Sequence, residues 1–207
     1  MHGGGRANCK HYEYLQKLFR QKGIASLVFD FMGCGESEGE FEDGTLNQRI
    51  KDAHNVISYF LERTNLRINE IYLWGSSLGG HVACRLLEKH NVKGVILQSA
   101  AAYGKQAENA KFNDEFTKAI RKPDNWTNSP AFKKLKNFSG NILVVYGEND
   151  LVIPKGVMDR YHQITDKNRG KFVVIKNGLH ALLKPDSRKG QEALVKLGEI
   201  SSAYLLS

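Results

Sequence analysis

Short apolar runs alternate with longer amphipathic stretches along most of the chain. Apolar runs rich in β-branched and aromatic residues predict buried strands at 25–31, 69–74, 92–98, 141–146 and 171–175. Apolar residues at helical spacing predict helices at about 10–22, 46–63, 78–90 and 190–206. Strands that alternate with helices favour an α/β fold, with a mainly parallel sheet and helices on both faces.

The segment 101–138 breaks this alternation. It is polar, yet it contains the aromatic residues Tyr103, Phe112, Phe116 and Trp126, and it is longer than one crossover helix needs. It also leaves the edge of the sheet where α/β proteins place their sites. We therefore expect one domain over residues 1–207, with a small lid inserted at 101–138; an ordinary helix with a surface loop is the alternative.

Composition fits a globular domain and excludes several other classes. The chain has 207 residues, 41% hydrophobic and 25% charged, with a net charge of +8 and a pI near 9.3. Its basic residues are scattered, so we expect no nucleic-acid partner, and its apolar runs are too short to predict a membrane span. Three cysteines without a C-x-x-C pair, and no apolar leader, favour a cytoplasmic protein.

The most informative motif is G-x-S-x-G at residues 75–79. It lies between a predicted strand and a predicted helix, where the glycines allow a tight turn and the serine hydroxyl projects from the sheet edge. Ser77 is therefore the candidate nucleophile. The backbone N–H of Leu78, at the start of the helix, is placed to donate to a developing oxyanion.

Two further candidates follow later predicted strands. Asp150 and His180 lie on loops beyond the ends of the strands at 141–146 and 171–175, in the chain order nucleophile, acid, histidine. A histidine can take the serine proton if a carboxylate holds its tautomer. Glu148 is the alternative acid. The remaining histidines of the predicted helices are interpreted as structural: His11, His54, His81, His90 and His162.

These motifs give the chain a resemblance to the α/β-hydrolase superfamily. It covers the chain from residue 2 to the end, and its anchors are residues 2–5, 30–39, 75–79, 147–150 with Pro154, and 178–180. The segment 29–39 is similar to that of bacterial cinnamoyl/feruloyl-type esterases and serine-aminopeptidase-like hydrolases. Such members often carry a histidine at the position of Cys34, and arginine or asparagine at the position of Met32.

The resemblance implies an oxyanion hole formed by Gly4, from the loop after the third strand, together with Leu78. It also implies strands ahead of residue 2, one of them between the strands at 25–31 and 69–74. We therefore expect either a missing N-terminal segment or a partner chain that completes the sheet, because unpaired ladder groups in a core are costly.

The predicted function is that of a serine hydrolase that acts on small-molecule esters, or on thioesters or amides, through an acyl-enzyme. No metal or organic cofactor is expected. Peptidase and thioesterase activities are the nearest alternatives. A non-catalytic ligand-binding protein on the same scaffold, or a polyanion-binding module, is the alternative from another class.

Overall fold

In the part of the chain that the structure describes, four parallel strands form a central sheet. The computed structural model describes residues 1–5, 7–168, 170–183 and 187–207. Its strands are β1 (Tyr72–Ser76), β2 (Gly94–Gln98), β3 (Asn141–Gly147) and β4 (Lys171–Ile175). They lie side by side in the order β1-β2-β3-β4, so that each strand pairs in parallel with the next along the chain. The carboxyl ends of the strands therefore meet at one edge of the sheet.

Helices connect the strands and cover the sheet. In chain order they are α1 (Glu13–Gln21), α2 (Leu46–Glu62), α3 (Leu78–Leu86), α4 (Asp114–Arg121), α5 (Pro130–Lys136), α6 (Lys155–Lys167) and α7 (Arg188–Leu206). Side-chain oxygens of Thr45, Ser129 and Ser187 accept N–H bonds at the starts of α2, α5 and α7. These caps satisfy backbone donors that a helix leaves free in its first turn.

The described apolar residues form two cores on opposite faces of the sheet. In β2, Val95 and Leu97 pack into the core that also holds residues of α2, α3, α5 and α6, whereas Ile96 packs with α1 and α7. The same alternation holds in β3, where Val144 faces the first core and Val145 the second. Because successive side chains of a strand point to opposite faces, these continuous apolar runs are buried on both sides. The prediction of helices on both faces is confirmed.

The strand predicted at 25–31 is wrong, because this segment has no regular secondary structure. A strand requires a ladder of hydrogen bonds to a neighbour. At the outer edge of β1, Trp74 and Ser76 bond instead to Met1, whose nitrogen donates to the Trp74 carbonyl at 2.7 Å and whose carbonyl accepts from Ser76 N–H at 3.1 Å. The sequence pattern shows that the segment is apolar, and Phe31 is buried in the structure. The pattern does not show whether a partner strand lies beside the segment.

Several helices and turns begin or end at other residues than the sequence predicted. The helix predicted at 10–22 begins as a 3₁₀ turn at Cys9–Tyr12 before α1. The segment 101–138 contains a 3₁₀ turn at Lys105–Glu108, followed by α4 and α5. Its aromatic residues Phe112 and Phe116 are buried in the first core. A gating role for this segment stays a prediction.

Across the described ranges, none of the helices combines the length and the apolar character that crossing a bilayer would demand.

Candidate active site

Ser77 lies at a strained turn between β1 and α3. Its φ of 50° and ψ of −119° lie in a region that non-glycine residues rarely adopt. The strain is held by bonds on both sides of the turn: Ser77 N–H donates to the Gln98 carbonyl at 3.0 Å, and the Ser77 carbonyl accepts from Ala101 N–H at 2.9 Å. The strand-turn-helix geometry predicted from the motif is present.

The glycines of the motif allow two close backbone approaches. A Cβ on Gly75 would overlap the carbonyl oxygen of Gly79, so strand and helix could not pack at their present distance. A Cβ on Gly79 would overlap the Met1 carbonyl oxygen and lie 2.5 Å from that of His2. Glycine at these positions therefore lets the turn pack against both α3 and the N-terminal loop.

Ser77, His180 and Asp150 are joined by consecutive hydrogen bonds. His180 Nε2 lies 3.1 Å from Ser77 Oγ, and His180 Nδ1 lies 2.9 Å from Asp150 Oδ2. A carboxylate is only an acceptor, so Nδ1 carries the imidazole proton and Nε2 is free to accept one from the serine. Residues separated by 103 and 30 positions thus meet at the carboxyl edge of the sheet.

Asp150 is held on its other oxygen by the backbone. Its Oδ1 accepts N–H bonds from Val152 at 2.9 Å and Ile153 at 3.1 Å, and its side chain is fully buried. Burial alone would raise the pKa of Asp150, but the bonds from His180 and the two backbone N–H groups outweigh it, and the net pKa is below the ordinary value. Asp150 is therefore an oriented carboxylate at neutral pH.

Glu148, the alternative acid, does not reach the histidine. Its Oε2 accepts the Asn177 N–H at 2.9 Å on the surface of the neighbouring loop. The His180 loop is instead held by Gln98, a buried side chain on β2 whose Nε2 donates to the His180 carbonyl at 3.3 Å. Gln98 was not predicted from the sequence, because a polar residue at a strand end gives no sign of its partner.

The N-terminal loop lies beside the nucleophile. A Cβ built on Gly3 would lie 3.3 Å from Ser77 Cβ, and one built on Gly4 would lie 3.4 Å from Leu78 Cδ1. Gly4 and Leu78, the two residues predicted for the oxyanion hole, are thus neighbours across the turn.

No role was assigned from the sequence to His2 or Arg49, two buried residues whose side chains bond the Gly3 carbonyl. His2 accepts the Phe31 N–H on Nε2 at 3.2 Å, so its Nδ1 carries the proton and donates to the Gly3 carbonyl at 3.0 Å. Arg49 Nη1 donates to the same carbonyl at 2.8 Å. One signal was available: Arg49 occupies the helical face that buries Leu46, Ile50 and Ala53.

His81, His54 and His90 contact other side chains or backbone groups of the fold. Buried His81 accepts the Tyr103 N–H on Nδ1 at 3.2 Å, and its Nε2 donates to Glu108 at 3.0 Å. Arg85 donates to the same carboxylate oxygen at 2.7 Å. This network ties the 3₁₀ turn of the 101–138 segment to α3. His54 and His90 contact each other at 2.9 Å.

Comparison with known proteins places the chain in a family. The family description "Serine aminopeptidase, S33" matches residues 1–128, which is more than half of the chain. An uncharacterised 31.7 kDa protein of Escherichia coli is 29% identical over 154 residues, 66% of this chain and 54% of that protein. A proline iminopeptidase of Lactobacillus delbrueckii subsp. lactis is 30% identical over 112 residues, 51% of this chain and 36% of that enzyme. The chain thus spans about half the length, or less, of these relatives.

Solved structures with the same fold include two esterases or lipases. A monoacylglycerol lipase of Paleococcus ferrophilus superposes with a TM-score of 0.72 at 18% identity, over 99% of this chain and 91% of that one. Est1E of Butyrivibrio proteoclasticus, solved with ferulic acid bound, superposes with a TM-score of 0.71 at 19% identity, over 100% and 86%. At such identities the likeness establishes the fold alone. With the family match over residues 1–128, it follows that the chain belongs to the serine aminopeptidase S33 family and has the α/β-hydrolase fold.

Proposed function

We propose that this protein is a serine hydrolase that cleaves carboxylic ester bonds through a covalent acyl-enzyme. The observation that carries the proposal is the continuous series of hydrogen bonds from Asp150 through His180 to Ser77, with the serine on a strained turn. Backbone strain of this kind is commonly stored where it serves chemistry. Membership of a hydrolase family supports the same reaction type.

In the proposed mechanism, Ser77 Oγ attacks the ester carbonyl carbon while His180 Nε2 accepts its proton. Asp150 stabilises the imidazolium that forms and keeps Nδ1 protonated. The tetrahedral intermediate expels the alcohol, which takes the proton from His180, and the acyl group stays on Ser77. Water then enters, gives its proton to His180, attacks the acyl carbonyl and releases the acid, and the proton returns to Ser77.

The backbone N–H groups of Gly4 and Leu78 form the oxyanion hole in this mechanism. Negative charge develops on the carbonyl oxygen only in the transition state, so donors fixed beforehand lower the barrier without tightening substrate binding. One such donor contributes roughly 3 kcal/mol. Gly4 lies against Leu78 across the serine turn, which supports this pairing.

A fluorophosphonate probe followed by mass spectrometry tests the proposal. We expect labelling at Ser77, its loss in Ser77→Ala, and a strongly slowed reaction in His180→Ala. Ser76→Ala is the matched control, since Ser76 is the adjacent serine but its Oγ accepts from Tyr12 and Trp74 instead of contacting His180. A well-folded wild-type protein that the probe does not label would contradict the proposal and favour a non-catalytic ligand-binding protein.

Substrate class is tested by comparing short-chain and aryl esters with a thioester and a prolyl amide. We expect the esters to give the highest kcat/KM. A higher kcat/KM for the prolyl amide would instead align this chain with the peptidase activity named for its Lactobacillus relative.

A further inference from the structure

Arg49 is a buried guanidinium directly under the loop that carries Gly4. It is 2% exposed and lies on α2, 46 residues from the carbonyl that it binds. None of the ion pairs in the described part of the chain includes it. The Asp52 carboxylate attracts it only from beyond ion-pair distance. Burial of a charge outside an ion pair is costly, so Arg49 is a poor choice for a position that only needs to be filled.

Its position is held by three aromatic rings and a thiol. The guanidinium carbon lies 4.7 Å from the Phe31 ring centre, 5.5 Å from that of Phe41 and 5.0 Å from that of Phe112. Arg49 Nη2 contacts Cys34 Sγ at 3.2 Å. The ring faces attract the cation and leave the remaining amino group, Nη1, directed at the Gly3 carbonyl oxygen.

The bond to Gly3 determines how the next N–H is directed. Gly3 C=O and Gly4 N–H belong to one peptide unit, which is trans like every peptide in the described ranges. In a trans peptide the two groups point in opposite directions. A carbonyl held at 2.8 Å by Arg49 and 3.0 Å by His2 therefore turns the Gly4 N–H away from Arg49. Without these donors, a glycine-glycine segment could rotate this peptide at little cost.

We propose that Arg49 is a positioning residue for the oxyanion hole, which fixes the Gly3–Gly4 peptide so that the Gly4 N–H is directed at the carbonyl oxygen of the substrate. Its cation also polarises this peptide and makes the N–H a stronger donor. The inference rests on the proposed function, because it needs an oxyanion to form at Ser77. Arg49 does not touch the substrate and acts only through the loop.

The test compares Arg49→Met and Arg49→Lys with the wild-type protein and with Arg85→Met. Arg85→Met is the matched control, because Arg85 also bonds a buried partner, Glu108, but does not touch the loop. Methionine keeps the aliphatic bulk among the rings and removes the donors. Lysine keeps the charge and one donor toward Gly3, and it serves as the second variant if Arg49→Met does not fold.

We expect Arg49→Met to lower kcat by about 10- to 100-fold, which is less than the loss of a whole oxyanion donor. KM should change by less than about threefold, since ground-state contacts remain. The inhibition constant of a trifluoromethyl ketone, whose adduct places an oxyanion in the hole, should rise by the same factor as kcat/KM falls. Arg49→Lys should recover part of the loss, and Arg85→Met should leave kcat unchanged.

If folded Arg49→Met keeps a kcat within about threefold of the wild-type value, the proposal is overturned, because the predicted loss of kcat is about 10- to 100-fold. An unchanged ketone inhibition constant beside a lowered kcat overturns it as well, because the defect would lie outside the oxyanion hole.

Relaxation of the ¹⁵N-labelled Gly4 amide separates this inference from the proposed function. We expect its order parameter to fall from about 0.85 to below about 0.6 in Arg49→Met. This result supports the positioning role even if esters prove not to be substrates, whereas an amide that stays rigid overturns it whatever the activity. Absence of probe labelling in the wild-type protein, by contrast, overturns the proposed function.

Discussion

Replacing Asp150 by asparagine should move the imidazole proton of His180 from Nδ1 to Nε2 without altering the fold. Asp150 Oδ1 accepts two backbone N–H groups, at 2.9 and 3.1 Å, and Oδ2 faces His180 Nδ1 at 2.9 Å. In Asp150→Asn, the amide oxygen takes the Oδ1 position, because the backbone donors require an acceptor. The NH₂ group then donates to Nδ1, which moves the imidazole proton to Nε2, opposite Ser77 Oγ at 3.1 Å.

With Nε2 protonated, the histidine can no longer accept the serine proton. A tautomer error of this kind in a serine triad costs about 10⁴ in kcat, or about 5.5 kcal/mol in activation free energy. The assay is steady-state hydrolysis of a p-nitrophenyl ester at neutral pH. Glu148→Gln is the control, since Glu148 bonds Asn177 and should leave kcat unchanged. Retention of more than about a tenth of wild-type kcat in Asp150→Asn would refute the proposed tautomer, given the predicted loss.

Three further predictions concern the loop and the core. Burial lowers the pKa of His2 to about 4 in the folded protein. Between pH 6.5 and 4 the His2 imidazole is therefore protonated in the unfolded chain but not in the folded one. The free energy of unfolding should therefore fall by roughly 3 kcal/mol over this interval, as measured by urea denaturation, and His2→Gln should lose this part of the dependence. Gly79→Ala, whose Cβ overlaps the Met1 carbonyl oxygen, should displace the loop and lower kcat by about 100-fold in the same ester assay. Glu108→Leu should lower the free energy of unfolding by about 2 kcal/mol, because His81 loses its buried acceptor.

Each of these predictions has an outcome that contradicts it. Equal pH dependence in wild type and His2→Gln would show that His2 titrates alike in the folded and unfolded states. Wild-type kcat in Gly79→Ala would show that the loop can shift without affecting the reaction. Wild-type stability in Glu108→Leu, with exposed Glu115→Leu as the control, would show that His81 finds another acceptor.

Much of the site could be predicted from the sequence, because the motifs that indicate it are short and local. A serine between glycines at the end of an apolar run predicts a strained turn, and Gly75 is required by the close approach of the helix that directly follows. Parallel strands bring their carboxyl ends to one edge, so the positions of Asp150 and His180 after strand ends predicted that they would converge on Ser77. Their distances of 2.9 and 3.1 Å agree with this expectation.

The sequence by itself therefore determined the α/β alternation and the order of the three chemical residues, since both follow from periodicity and from position after a strand. Only the tertiary structure decided which carboxylate reaches His180, that 25–31 is not a strand, and that Arg49 lies beneath Gly3. The physical reason is that these features depend on partners far apart in the chain. A hydrogen-bond ladder needs a neighbouring strand, and a buried cation needs a carbonyl and aromatic rings that residue order does not reveal.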